Sequence, residues 1–270
     1  MREIVGTFLF QEQEDGTPLQ IGSGFIVQNE PEQVVICTAA HVLKDVANSL
    51  QPDFVNHLSI VPVDFQRPRP LLDLRRLHFV IEQDRTPVTL FITNCWWDDE
   101  QDLGFALAKY PPMASRPKAP YIVKLGDQLP KIGDVVGIFG FSKMQTMPKY
   151  ENARYGTMAR TPSLRFGRIC DLENLGTNLL VAHETARQIR CTAPIESGMS
   201  GGLVAIAEPG IEMRAIGVAC HAPSYQSIVD RSISAESTIV LISQYVKKID
   251  DQRSELNLPF LFSGIGQTKN

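Results

Sequence analysis

The stretch Gly198-Met199-Ser200-Gly201-Gly202 places one serine among three glycines. The glycines leave the serine hydroxyl uncovered and let the amides of Gly198 and Ser200 turn toward one point. Acyl transfer uses this combination, because a hydroxyl nucleophile needs N–H donors that stabilise the oxyanion it creates. A glycine-rich β-turn would contain the same residues without any chemistry. The interpretation therefore depends on the residues upstream.

A histidine follows the buried strand predicted by Val34-Val35-Ile36-Cys37. The next four residues are Thr38-Ala39-Ala40-His41, so a rigid element would hold the imidazole at the edge of a cleft, as a general base requires. A single histidine is more often structural than catalytic. The remaining histidines lack comparable surroundings: His57, His78, His183 and His221.

An aspartate directly precedes a third predicted strand. The polar run from Asp98 ends at Asp102, and Leu103-Gly104-Phe105-Ala106-Leu107 then begins an apolar strand. A carboxylate in this place can be buried far enough to orient a histidine while it stays ionised. Asp98 and Asp99 are the alternatives, and we expect both to be solvated because they lie deeper in the acidic loop.

Five motifs resemble the trypsin/chymotrypsin family of serine peptidases, most closely the bacterial HtrA-type catalytic domains. They are Gly22-Ser23-Gly24-Phe25 for G-S-G-F, Thr38-Ala39-Ala40-His41 for T-A-A-H, Asp102-Leu103-Gly104 for D-L-A, Gly198–Gly202 for G-x-S-G-G, and Ile216-Gly217-Val218 for the I-G-I strand that lines the substrate groove. The third motif is the least perfect match. The resemblance extends over about residues 4–250.

The resemblance implies a serine endopeptidase that hydrolyses peptide bonds through an acyl-enzyme, with no metal and no organic cofactor. His41 would take the proton from Ser200 and return it to the leaving amine. Asp102 would fix the imidazole tautomer. The amides of Gly198 and Ser200 would form the oxyanion hole.

The family motif also locates a substrate pocket. Its floor would fall at Pro194, next to Ile195, and Cys220-His221-Ala222 would form the opposite wall. Because no acid occupies the floor position, a small or medium apolar P1 residue is expected rather than lysine or arginine.

The fold implied by the resemblance is all-β, with two perpendicular six-stranded β-barrels and a C-terminal helix. Strand-like runs separated by proline and glycine fit such a double barrel. In the first half they are Ile4–Phe10, Gly24–Val27, Val34–Thr38, Leu58–Val63, Leu77–Ile81, Val88–Ile92 and Gly104–Leu107. In the second half they are Asp134–Phe139, Leu164–Cys170, Leu179–His183, Gly202–Ile206 and Arg214–Ala219. The helix is predicted from Ile239, Ile242, Val246 and Ile249 at helical spacing, with Ser237 as its cap.

The predicted domain limits follow from a proline-rich segment. Residues 1–115 would form the first barrel, and residues 116–250 the second barrel with its closing helix. Pro111–Pro120 would be the linker between them. The tail, residues 251–270, leaves no room for the PDZ domain of HtrA-type proteases, so a stand-alone catalytic domain is expected.

The composition favours a cytoplasmic protein. Five cysteines are an odd number with irregular spacing and no C-x-x-C pair, which indicates reduced thiols and argues against a zinc site. An apolar leader is not visible after Met1, and no run approaches the ~20 apolar residues of a membrane span. Neither a membrane nor a nucleic acid is expected as a partner, because the net charge is −4 and no aromatic stacking platform is evident.

The segment from residue 141 to residue 168 is the predicted place for control by a partner. It contains six basic residues and one acid, and it would flank the active site. A solvated basic face is the simpler interpretation. The alternatives are a docking site for an acidic protein activator and a loop for self-cleavage.

Two departures from the family concern activation. Ile4-Val5-Gly6-Thr7 is similar to the I-V-G-G start of mature trypsin-like enzymes, in which the freed amino group pairs with an aspartate before the nucleophile. Here that position is Met199, which cannot form an ion pair, so cleavage before Ile4 is not expected to activate the protein. Met199 also keeps a second interpretation open, a catalytically silent scaffold or peptide-binding module.

Overall fold

Runs of β-branched and aromatic residues build most of the described chain into strands. The structure is a computed structural model, and the residues that it describes are 4–10, 19–29, 33–50, 74–83, 86–98, 102–111, 123–126, 129–142, 162–172, 188–207, 213–221 and 237–242.

The first barrel consists of six antiparallel strands. They are β1 (Val5–Phe10), β2 (Leu19–Asn29), β3 (Gln33–Ala39), β4 (Leu77–Gln83), β5 (Thr86–Asp98) and β6 (Leu103–Lys109). Around the barrel they follow the order β1-β2-β3-β6-β5-β4, and β4 pairs with β1 to close the ring. Closure pairs both edges of every strand, so no edge of this sheet is left open.

A helix, α1 (Ala40–Leu50), begins at the residue after β3 and contains His41 in its first turn. Val42, Leu43 and Val46 are buried, whereas the side chain of His41 is 30% exposed. His41 therefore lies next to the junction of two rigid elements, and its side chain stays partly exposed. The spacing of the three buried residues is the signal in the sequence that indicates this helix.

The second barrel is also a closed ring of six strands, with one short strand added. The strands are β7 (Lys124–Leu125), β8 (Val135–Gly140), β9 (Ser163–Asp171), β10 (Gln188–Cys191), β11 (Leu203–Ile206), β12 (Arg214–His221) and β13 (Ser237–Leu241). The order β11-β8-β9-β10-β13-β12 closes through pairing of β12 with β11, and β7 pairs in parallel with β12. The predicted all-β double barrel is confirmed.

Most predicted strands coincide with observed ones. Two of them, Leu58–Val63 and Leu179–His183, lie outside the described residues, as do residues 112–120 of the predicted linker. The sequence did not predict β7, β10 or β13. The domain limits at residues 115 and 250 stay predictions.

The predicted start of the C-terminal helix is wrong. Ser237 begins strand β13 instead of capping a helix, and it pairs with Cys191 of β10. Ile239 and Ile242 are fully buried, because β13 fills the place between β10 and β12 that the ring needs to close. The helical spacing of these isoleucines is thus overridden by tertiary pairing. Residues 243–250, the remainder of the predicted helix, lie outside the described residues.

The larger of the two apolar clusters extends from the first barrel into strands of the second. It contains the interior of the first barrel and continues through Leu203, Val218 and Val240, all fully buried. A smaller cluster fills the second barrel and includes Met199. The segments that carry His41, Asp102 and Ser200 therefore share a packed boundary between the barrels.

Within the described residues, no helix combines the length and the apolar character that crossing a bilayer requires.

Replacing Phe105 by alanine should lower the free energy of unfolding by about 3–5 kcal/mol, because Phe105 is 1% exposed in the centre of the first barrel and its loss leaves a cavity. Phe91→Ala on the neighbouring strand is the matched control. Phe91 is 42% exposed, so the same deletion should cost less than about 1 kcal/mol. Urea unfolding of the two variants measures both values, and equal losses would contradict the assignment of Phe105 to the core.

Candidate active site

The structure brings the side chains of His41 and Asp102 together. Nδ1 of His41 lies 3.0 Å from Oδ2 and 3.1 Å from Oδ1 of the carboxylate. With a proton on Nδ1, the ring donates to both oxygens, and Nε2 keeps its lone pair as an acceptor on the opposite side of the ring. This tautomer is the one that a general base needs.

Asp102 also accepts a hydrogen bond from the backbone N–H of His41, at 2.9 Å from Oδ1. This N–H belongs to the first turn of α1, where amides have no partner within the helix and a negative charge is stabilised. Asp102 has φ +48°, and within the described residues it is the one non-glycine residue in the left-handed region. Aspartate tolerates this conformation better than most residues, and such backbone strain is concentrated at functional sites.

Ser200 joins the same cluster through Cys220. The Ser200 hydroxyl donates to the backbone carbonyl of Cys220 at 3.0 Å, and Sγ of Cys220 contacts the backbone carbonyl of Asp102 at 3.8 Å. Gly22 lies between the two barrels here, since a Cβ on it would stand 2.6 Å from Val42 and 3.0 Å from the Ser200 carbonyl. The residues predicted from three distant motifs therefore lie in one place.

Cys220 is not a competing nucleophile. Burial, and then the negative charge of Asp102, raise the pKa of the Cys220 thiol well above its ordinary value. Burial also raises the pKa of Cys37 on the adjoining strand β3. The raised pKa values disfavour the thiolate form that a cysteine needs in order to act as a nucleophile.

The loop before Ser200 contains a tight turn that carries Gly198, one of the two predicted oxyanion donors. The Met199 N–H donates to the Glu196 carbonyl at 2.9 Å, which closes a turn, and Gly198 has φ +92° at its third position, as in a type II turn. In the described part of the chain, no backbone carbonyl accepts a hydrogen bond from the amide of Gly198 or Ser200. Both amides are thus available as donors to a developing negative charge.

Glu196 anchors the start of this turn. Its carboxylate accepts from the hydroxyl of Ser142 and from the guanidinium of Arg165, whose Nε lies 3.0 Å from Oε1. These contacts lower the pKa of Glu196, and the hydrogen bond from Ser142 has the largest effect. Arg165 belongs to the basic segment from residue 141 to residue 168, and in the structure it lies on β9 and forms this ion pair.

The predicted pocket residues differ in their placement. Pro194 is exposed, whereas Ile195 is buried in the apolar cluster of the second barrel, with its N–H bonded to the Ser237 hydroxyl at 3.1 Å. Ile195 is therefore a core residue in addition to being a neighbour of the predicted floor. The side chain of Cys220 is buried, and its backbone carbonyl accepts the hydrogen bond from the Ser200 hydroxyl. The side chain of His221 and the whole of Ala222 lie outside the described residues.

Of the rival candidates, His78 is the one whose side chain the structure describes. His78 is buried in β4 with its ring edge-on to Phe91, and burial lowers its pKa. Asp98 ends β5, whereas His57, His183 and Asp99 lie outside the described residues. Among the residues described, no three His, Cys, Asp or Glu side chains are grouped closely enough to hold a metal ion.

The coupling between Glu196 and Arg165 should depend on pH. Because the folded-state pKa of Glu196 is lowered, its contribution to stability is present above the ordinary glutamate pKa of about 4.3 and is lost as pH falls through the folded-state value. A double-mutant cycle with Glu196→Gln and Arg165→Gln should give a coupling of up to about 1 kcal/mol at pH 7. Urea unfolding from pH 7 to pH 3.5 should show it decline, and a pH-independent coupling would contradict the charged pairing.

Comparisons with known proteins agree with this geometry. The model of the trypsin-like peptidase domain matches residues 22–208, a range that contains all three clustered residues. No curated protein is significantly similar to the chain in sequence.

Solved structures of the Rv3671c protease from M. tuberculosis share the fold. An inactive form is 15% identical in sequence with a TM-score of 0.51, and the alignment covers 93% of this chain and 89% of the Rv3671c chain. An active form is 14% identical with the same TM-score, covering 96% and 83%. An inactive serine-to-alanine mutant from strain H37Rv is 12% identical, again with a TM-score of 0.51, covering 95% and 87%. At this identity the likeness concerns the fold alone, but the family model covers more than half of the sequence. The chain therefore belongs to the trypsin-like peptidase family.

Proposed function

We propose that the protein is a serine endopeptidase that cleaves peptide bonds through an acyl-enzyme, with Ser200 as nucleophile, His41 as general base and Asp102 as its orienting carboxylate. The observation that carries the proposal is the double contact of His41 Nδ1 with Asp102, at 3.0 and 3.1 Å, in a cluster that includes Ser200. This contact prepares Nε2 to accept a proton.

In the proposed reaction, Oγ of Ser200 attacks the scissile carbonyl carbon and its proton passes to Nε2 of His41. The C–N bond then breaks, and the same proton leaves with the amine. In the second half of the reaction, His41 takes a proton from water, which attacks the ester carbonyl carbon. The ester C–O bond breaks, the proton passes to Oγ of Ser200, and a carboxylic acid is released. The hydroxyl must first exchange its present acceptor, the Cys220 carbonyl, for Nε2.

The amides of Gly198 and Ser200 would stabilise the tetrahedral intermediate. Such donors contribute most when they are fixed before the reaction and shielded from water. Gly198 and Met199 are buried, which supports a donor site of this kind. A protein or peptide is the proposed substrate class, with a small or medium apolar residue at P1.

A catalytically silent scaffold is the second candidate. The observation that favours it is the bond from the Ser200 hydroxyl to the Cys220 carbonyl, since the proton in that bond is not directed at His41. The two candidates make opposite predictions for covalent labelling at Ser200.

Control by an acidic protein partner remains a proposal for the basic segment from residue 141 to residue 168. Arg165 is engaged with Glu196, and the guanidinium of Arg168 donates to the Gly133 carbonyl at 2.8 Å. Docking would therefore rest on the four other basic residues of the segment: Lys143, Lys149, Arg154 and Arg160. The proposed cytoplasmic location rests on the cysteines, which are all free thiols.

Fluorophosphonate labelling distinguishes the two candidate functions. The wild-type protein should form a covalent adduct and Ser200→Ala should not, because the alanine removes the attacking oxygen. Ser197→Ala is the matched control, since Ser197 is an exposed serine in the same loop and should label at the wild-type rate. Intact mass spectrometry measures the adduct. A wild-type protein that stays unlabelled would favour the scaffold.

Asp102→Asn should lower kcat by about 10⁴, the loss known for this change in the type enzyme of the family. An asparagine amide can donate to Nδ1, which moves the imidazole proton to Nε2 and removes the base. Asp134→Asn, the same change at a turn in the second barrel, should leave kcat within about threefold. Peptide hydrolysis by folded variants measures both, and similar losses would contradict a special role for Asp102.

A further inference from the structure

Ser23, in the middle of strand β2, contacts the nucleophile loop through both its backbone and its side chain. Its N–H donates to the Ser200 carbonyl at 2.7 Å, and its hydroxyl donates to the Gly198 carbonyl at 2.7 Å. Ser23 is completely buried, and it belongs to the first barrel whereas the loop belongs to the second. These two bonds therefore cross the boundary between the barrels.

The direction of the Ser23 hydroxyl is itself fixed. The Phe141 N–H donates to its oxygen at 2.8 Å, so the hydroxyl proton is left for the Gly198 carbonyl. The Thr38 hydroxyl donates to the Ser23 carbonyl at 2.7 Å and holds the backbone of β2. Every polar group of Ser23 thus has a partner, as a buried hydroxyl requires.

The Ser23 hydroxyl holds one end of the peptide unit between Gly198 and Met199. The other end of this unit, the Met199 N–H, donates to the Glu196 carbonyl at 2.9 Å. A planar trans peptide bonded at both its oxygen and its N–H cannot rotate without breaking one of the two bonds. The orientation of this unit, which follows the first proposed oxyanion donor, is therefore fixed.

The Ser23 N–H holds the oxygen end of a second peptide unit, the one between Ser200 and Gly201. Its oxygen accepts from Ser23, and its N–H, that of Gly201, donates to the Ala219 carbonyl at 2.7 Å. The unit between Met199 and Ser200 lies between these two fixed units. Its own carbonyl accepts from the Gly202 N–H at 2.9 Å, which directs the Ser200 N–H to the opposite side.

Residue 199 offers no charge for this task. Met199 is fully buried in the apolar cluster of the second barrel. Residues 198–201 are therefore held by uncharged hydrogen bonds and apolar packing, whereas the ion pair of Glu196 with Arg165 lies at the start of the turn.

We propose that Ser23 is a positioning residue of the active site, which holds the loop from Gly198 to Gly201 so that the amides of Gly198 and Ser200 converge on the oxyanion. This inference rests on the proposed peptidase function. Ser23 itself touches neither the substrate nor the reacting atoms.

Ser23→Ala in the full chain tests the proposal. Loss of the hydroxyl should lower kcat by about 10² with a much smaller change in KM, at the lower end of what removal of an oxyanion donor costs. The rate of fluorophosphonate labelling should fall by a similar factor, because the phosphonyl oxygen occupies the same donors. Hydrogen exchange in residues 196–202 should become faster, while exchange in β3 and β6 stays unchanged.

Ser237→Ala is the matched control, because Ser237 is also completely buried and its hydroxyl also accepts a backbone amide, that of Ile195. It should lower the melting temperature as Ser23→Ala does, but its kcat and labelling rate should fall much less. Equal losses of kcat in the two variants, or a folded Ser23→Ala protein with kcat within threefold of wild type, would overturn the proposal.

A conservative variant covers the case in which Ser23→Ala does not fold. Ser23→Cys keeps a weaker donor, so its kcat should lie between those of wild type and a protein without the hydroxyl bond. A folded Ser23→Cys protein with wild-type kcat and unchanged exchange in residues 196–202 would refute the role of the hydroxyl. If the wild-type protein neither labels nor cleaves peptides, the peptidase function fails, and the exchange measurement alone still decides whether Ser23 holds the loop.

Discussion

The hydrogen bond from the Ser23 amide to the Ser200 carbonyl joins the two barrels at the proposed nucleophile. His41 and Asp102 are carried by the first barrel and Ser200 by the second, so their alignment is a matter of how the barrels meet. The shared apolar cluster supplies attraction, but burial of apolar surface is non-directional and sets no register. Directional bonds across the boundary are therefore needed, because the reaction rate falls when the reacting groups are misplaced by about 1 Å.

Asp102 combines a structural task with the catalytic one proposed for it. One of its oxygens accepts from both the backbone N–H and the ring of His41, so the carboxylate satisfies the helix terminus that carries the imidazole and orients the ring on it. Asp102 has a left-handed backbone, and its carboxylate accepts from the N–H at the start of α1. A conformational cost at this residue is thus offset by hydrogen bonds to a charged acceptor, which are stronger than neutral ones.

Local motifs, through their resemblance to the trypsin/chymotrypsin family, predicted the double barrel and selected the residues that the structure places together. His41, Asp102 and Ser200 each follow or precede a strand with a clear hydrophobic pattern, so their positions could be read without tertiary information. The helical spacing near Ile239 failed because closure of the second ring imposed a strand on those residues. The partners of Arg165 and of Ser23 were not predictable, since they are contributed by residues far away in the chain and depend on side-chain direction. The G-S-G motif was visible, but nothing in it indicated which carbonyl its hydroxyl would meet.

An uncharged anchor has different physical consequences from an ion pair at the same place. A buried charge pair must overcome the loss of hydration of both ions, and its strength changes when either partner titrates. The bonds of Ser23 involve neutral groups, so their strength does not depend on the titration of either partner. The one ion pair of the described loop, between Glu196 and Arg165, is 27–32% exposed in its side chains and lies at the start of the turn, away from the donors. If Ser23 holds the loop as proposed, docking of the two barrels orders it, and Met199 offers no carboxylate with which a new chain terminus could pair.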